Sequence, residues 1–159
     1  MNSSEELPLA DSSRVVLRRS VRRFALWGLL IYGVLVLVVV FWPRHVDEAV
    51  APALGSFFGW LHDLGVPEFI NYQALEFSAN VLMFVPLGFF LACLFWRRWY
   101  LAIPLLCCLS VGVELLQAGL LPDRTPSGSD VLANSLGGLL GALIQGIRFQ
   151  RGLRRAKAS

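Results

Sequence analysis

Four apolar runs, each close to twenty residues long, follow one another along the chain with short polar breaks between them. They read FALWGLLIYGVLVLVVVFW (24–42), FSANVLMFVPLGFFLACLFW (77–96), YLAIPLLCCLSVGVELLQAGL (100–120) and DVLANSLGGLLGALIQGIRF (130–149). At about 1.5 Å per helical residue, each is long enough for a hydrocarbon core about 30 Å thick. The runs stop at Pro43, at Arg97 and Arg98, at Pro122, and in a basic tail. This pattern predicts an all-α integral membrane fold with four transmembrane helices. Between the first two runs, Val50, Leu54, Phe57, Phe58, Leu61 and Leu64 recur at helical spacing, with Trp60 nearby and His62 and Asp63 on the other side. That periodicity predicts a short amphipathic helix lying in the external interface. The expected organisation is a basic cytoplasmic segment (1–23), a membrane domain (24–149) and a basic cytoplasmic tail (150–159), with the first dozen residues lacking structure. The first run is longer than a signal-peptide core and no A-x-A-like site follows it, so it reads as an uncleaved anchor.

Composition strengthens this reading. Of 159 residues, 56% are hydrophobic and 16% charged, and the mean hydropathy is +0.62. A soluble domain of this length has too little interior to hide so much apolar surface. A net charge of +3 and a pI near 9.1 raise the question of nucleic acid, but the placement of the basic residues answers against it. Of 14 Lys and Arg residues, only Arg44 and Arg124 fall on one side of the four runs. The other side is therefore cytoplasmic by the positive-inside rule, with both termini on it, in a multi-pass protein of the cell membrane. Cys93, Cys107 and Cys108 lie inside apolar runs and suggest no disulfide framework. This pattern is compatible with a homo-oligomer as well as with a single chain.

Polar residues inside the runs carry the chemistry. Placed by depth, Asn80, Glu114, Gln117, Asp130 and Asn134 all fall in the outer third of the bilayer, and Arg124 lies in the connector beside them. A carboxylate such as Glu114 costs about 2.5–3.5 kcal/mol in a membrane span, taking Asp as a proxy, so something must offset it. These six residues form the expected ligand-binding set. For each a structural role stands beside the functional one: Glu114 bonding Arg124 or an Asn, Arg124 pairing with Asp130, and the two Asn residues joining helices. Asp130, Asn134, Gly137 and Gly141 are spaced four, three and four, so they share one stripe. Its lower half is a G-x-x-x-G element suited to close helix packing. Gly138 and Gly88 join that packing set, as does Pro86, whose missing N–H leaves a carbonyl unserved. Ser129 or Asp130 is expected to cap the last helix. His45 and His62 lie away from the stripe, so no metal or other cofactor is expected. The SGS segment has no accompanying histidine, which argues against acyl-transfer chemistry.

NVLMFVPLG (80–88), ELLQ (114–117) and RTPSGSDVLANSLGGLLG (124–141) together resemble the VanZ-like family of small bacterial membrane proteins. The resemblance is close over about residues 75–144 and matches the first span only in kind. Some relatives carry a further acid where this chain has Ser129. The resemblance implies a four-span inner-membrane protein, and the founding member lowers susceptibility to the glycopeptide teicoplanin. The expected function is an outward-facing polar pocket that binds an envelope lipid, a cell-wall precursor or a lipidated glycopeptide. An enzyme acting on an outer-leaflet lipid, with Glu114 or Asp130 as general base, and a structural assembly protein are the alternatives. Without a nucleophile or metal set, the balance leans away from an enzyme.

Overall fold

The computed structural model describes residues 7–41, 51–120 and 127–158. Five α-helices account for nearly all of them, and there is no strand among the described residues. They are α1 (Leu7–Val40), α2 (Ala51–Asp63), α3 (Tyr72–Phe95), α4 (Ala102–Leu120) and α5 (Gly128–Ala158). A 3-10 turn, Trp96–Leu101, joins α3 to α4.

Three stretches are long and apolar enough to cross a bilayer: Arg19–Val40, Tyr72–Leu120 and Gly128–Gly152, with mean hydropathies of 2.3, 2.0 and 1.3. The middle one has 49 residues, which as a single rod would run about 74 Å, more than twice a hydrocarbon core. It is not a single rod. Trp96 has φ 49° and Arg98 has φ −104°, ψ 37°, and these residues break the helix between α3 and α4.

Helix directions follow from the contacts. Phe24 meets the ring of Phe90 and Tyr32 bonds the carbonyl of Met83, so α1 and α3 are antiparallel. Asn80 bonds Asp130 near the start of α5, while Trp96 packs on Phe149 further along it, so α3 and α5 run parallel. Glu114 reaches Ser127 and Leu106 lies over Gly138, so α4 is antiparallel to α5. The end of α1, the start of α3, the end of α4 and the start of α5 thus share one end of the bundle. Arg97 and Arg98 sit exposed at the other end.

The α3–α5 seam is the most extensive contact in the fold, and glycine makes it possible. A Cβ at Gly137 would collide with the Val81 carbonyl and come within 2.8 Å of Phe84 Cβ. One at Gly141 would strike the Val85 carbonyl, and one at Gly88 the Gly138 carbonyl. Here the backbones themselves touch. Phe84, Leu87, Leu106, Val113 and Val36 form the core beside the seam, and Ala92, Ala102 and Ala142 form a second cluster toward the arginine end. Outside, Phe24, Trp27, Ile31, Leu82, Leu115 and Leu132 are exposed, as expected for a surface meant for lipid rather than water.

Several boundaries differ from expectation, each for a local reason. α1 begins at Leu7, within the dozen residues expected to lack structure; Pro8 in its first turn is tolerated because that N–H has no helical partner. α3 begins at Tyr72, earlier than residue 77, because Asn71 caps it: its side chain accepts the Ala74 N–H at 3.0 Å. α5 begins at Gly128, so Ser127 rather than Ser129 or Asp130 precedes the helix, and it runs on to Ala158 through the basic tail. The helix α2 lies within the stretch where periodicity predicted it, with Phe57 and Trp60 exposed; Leu64, also exposed, falls just past its end at Asp63. Val50, Trp42, Arg44 and His45 lie outside the described residues.

Candidate functional site

α4 buries one stripe: Ala102, Leu106, Ser110, Val113, Glu114 and Gln117. The spacing of four, four, three, one and three keeps these on one helical face, turned toward the other helices. The lower part of the stripe is apolar and the upper part is not. Glu114 is only 7% exposed and Gln117 only 4%.

Each has an identified partner. Glu114 Oε2 accepts the backbone N–H of Ser127 at 3.1 Å. The carboxylate therefore takes one of the orphan donors at the start of α5, a position where the helix macrodipole also favours negative charge. Gln117 Nε2 donates to the Val40 carbonyl at 2.7 Å, tying the end of α1 to the end of α4. On the facing side, Asn80 Nδ2 donates to Asp130 Oδ1 at 3.2 Å, tying α3 to α5. Asp130 lies in the first turn of α5, so its charge also faces the positive helix end. Ser127 Oγ and Ser129 Oγ pair at 2.6 Å at the rim.

Asn134 sits one turn deeper on α5. It is 5% exposed, and its Oδ1 has no hydrogen-bond partner. Five of the six expected ligand-binding residues thus gather at one end of the bundle, on α3, α4 and α5. The sixth, Arg124, lies outside the described residues.

Pro86 leaves the Leu82 carbonyl without its helical donor. The adjacent carbonyl, that of Met83, receives the Tyr32 hydroxyl at 3.1 Å, so α1 braces α3 at this point. Tyr32, Ser110 and Ser127 were not among the expected site residues. Ser110 could have been found, since it lies four residues before Glu114 and so on the same face; a serine within an apolar run otherwise resembles any small residue. The Ser127 amide carries no side-chain signal at all. Among the described residues no three His, Cys, Asp or Glu side chains converge as metal ligands.

A bundle of long apolar helices, packed through glycine and carrying a buried carboxylate–amide cluster at one end, is a membrane-type helical protein. The sequence model of the VanZ/LLP1 family matches residues 29–148, and the chain belongs to that family. The match takes in the Tyr32 brace, the glycine seam and every residue of the polar cluster. No curated protein and no solved structure matches the chain.

Proposed function

We propose that this VanZ/LLP1 protein crosses the cell membrane four times, with both termini in the cytoplasm, and holds an outward-facing polar pocket. The pocket binds the polar head of an envelope lipid, a cell-wall precursor or a lipidated glycopeptide, and so contributes to teicoplanin-type tolerance. Four crossings are supported by the lengths of α3 and α4, 24 and 19 residues, about 36 and 28 Å, and by their opposite directions. The orientation is supported by Arg97 and Arg98 at one end of the bundle and Glu114 and Asp130 at the other. Exposed Phe57 and Trp60 on α2, with Leu64 and Phe69 beyond it, suit a helix lying in the outer interface.

The observation that carries the binding reading is the burial of Glu114 and Asn134, an acid and an amide with an unpartnered oxygen, at the same bundle end as Asp130 and Asn80. Photocrosslinking with a lipid-headgroup probe tests it. Labelling should fall in Glu114→Gln and Arg124→Ala, and undiminished labelling in both rejects the reading.

The Glu114–Ser127 bond favours a second reading, in which the cluster only sets helix register. Under that reading Glu114→Leu and Asp130→Leu, which remove the acceptor oxygens, lower protein level and phenotype together, and Glu114→Gln keeps both. Loss of phenotype at an unchanged protein level rejects it.

A further inference from the structure

Ser110 and Asn134 form a second polar tier beneath the cluster. On α4, Ser110 lies midway between Leu106 and Glu114; on α5, Asn134 lies midway between Gly138 and Asp130. Leu106 touches Gly138 and Glu114 bonds the start of α5, so in these antiparallel helices Ser110 and Asn134 share a level. Ser110 is 0% exposed, and neither its Oγ nor Asn134 Oδ1 has a hydrogen-bond partner. Two orphaned polar atoms at one level of a bundle are uncommon in a native interior, where nearly all such atoms are bonded.

The floor of this tier is closed. Below it the Leu106 side chain lies over Gly138, and Ala92, Ala102 and Ala142 seal the bundle. The side from which a ligand would reach the tier is the other one, past buried Glu114 and half-buried Asp130.

The donor–acceptor inventory selects the chemistry that fits. Asn134 Oδ1 only accepts, while Ser110 Oγ both donates and accepts. One group completes both if it donates a hydrogen bond to Asn134 Oδ1 and accepts one from the Ser110 hydroxyl, which is what a hydroxyl does. An ionised phosphate has acceptors only: it could take hydrogen bonds from Ser110 Oγ–H and Asn134 Nδ2–H but leaves Asn134 Oδ1 unserved, and it also meets two carboxylates on its way in. A quaternary ammonium has no N–H to offer.

The geometry points to a hydroxyl site formed by Ser110 and Asn134 at the bottom of the pocket, so that its ligand carries a neutral polyol head, glycosyl or glyceryl, rather than a phosphate or choline head. This inference rests on the lipid-binding reading and narrows it. Water supplies the same hydroxyl chemistry when no head is bound.

The test uses full-length protein in phosphatidylcholine nanodiscs, titrated with diacylglycerol carrying a hexosyl head and with acyl-matched phosphatidic acid. The hexosyl lipid should bind at least tenfold more tightly than phosphatidic acid. Ser110→Ala, which removes one oxygen and leaves the fold intact by thermal unfolding, should abolish most of that preference, as should Asn134→Leu. Water-edited solid-state NMR should show rapid transfer from water to Asn134 without ligand, suppressed when the hexosyl lipid binds. Equal binding of both lipids, lost in Glu114→Gln, overturns the hydroxyl assignment and leaves the lipid reading standing. Binding of neither lipid overturns both. Transfer unaffected by a bound hexosyl lipid means the tier holds water alone and overturns the headgroup assignment.

Discussion

The carboxylate of Glu114 on α4 holds the backbone amide of Ser127, 3.1 Å away, at the point where α5 begins. An ionisable side chain inside an apolar run thereby completes a backbone donor that the helix itself leaves unserved. For that bond residue 114 must supply an acceptor oxygen, which a neutral amide also carries.

That distinction is measurable. Glu114→Gln keeps an oxygen for the Ser127 amide and should change stability by less than about 1 kcal/mol, whereas Glu114→Leu leaves the amide without it and should cost about 1–3 kcal/mol. Thermal or denaturant unfolding in detergent compares the two. Equal losses contradict the bond.

The glycine seam predicts a steep contrast between positions. Gly137→Ala and Gly141→Ala put a methyl against the carbonyls of Val81 and Val85, and backbone yields less readily than a side chain. Each should lose at least about 1–3 kcal/mol, the usual range for overpacking. Gly112, with nothing within 4 Å of an added Cβ, should accept Ala with no loss, because Ala is the better helix former. Size-exclusion profiles after graded heating separate the two groups.

Removing the Tyr32 hydroxyl with Tyr32→Phe takes one donor from the part of α3 next to Pro86 while keeping the ring. Interhelical hydrogen bonds in membranes average about 0.6 kcal/mol, and the loss should be of that order. Hydrogen exchange should quicken locally around Met83 and leave α5 unchanged.

Asn80 and Asp130 should be energetically coupled through their 3.2 Å bond. A double-mutant cycle of Asn80→Ala and Asp130→Ala is expected to give an interaction energy between about 0.5 and 1.7 kcal/mol. Strict additivity would show that the two side chains act independently.

Much of this architecture is legible in the residues. Runs of apolar side chains long enough to span a bilayer locate α1, α3, α4 and α5, and the helical spacing from Leu54 to Leu61 locates α2. Helix starts are less legible, because the first turn of α3 is set by Asn71, a polar residue outside the apolar run, and that of α5 by Ser127 in a segment of small residues. The start of α1 and the end of α5 extend through basic stretches, since arginine and lysine are good helix formers even where they do not belong in lipid. Within the site, the shared level of Asn80, Glu114, Gln117, Asp130 and Asn134 can be counted off from helix rise. The actual partners cannot be counted off. Glu114 reaches a backbone amide and Gln117 a backbone carbonyl, and main-chain groups are the same at every residue.

α5 leaves the ribosome after α3 and α4, yet it lies against both and supplies the groups that Asn80 and Glu114 engage. A nascent chain that has not yet reached residue 127 holds a carboxylate and an amide in a half-built bundle with no answering helix. Its biogenesis thus has an obligatory closing step, and an unfinished copy displays hydrophilic groups that membrane quality-control proteases can recognise.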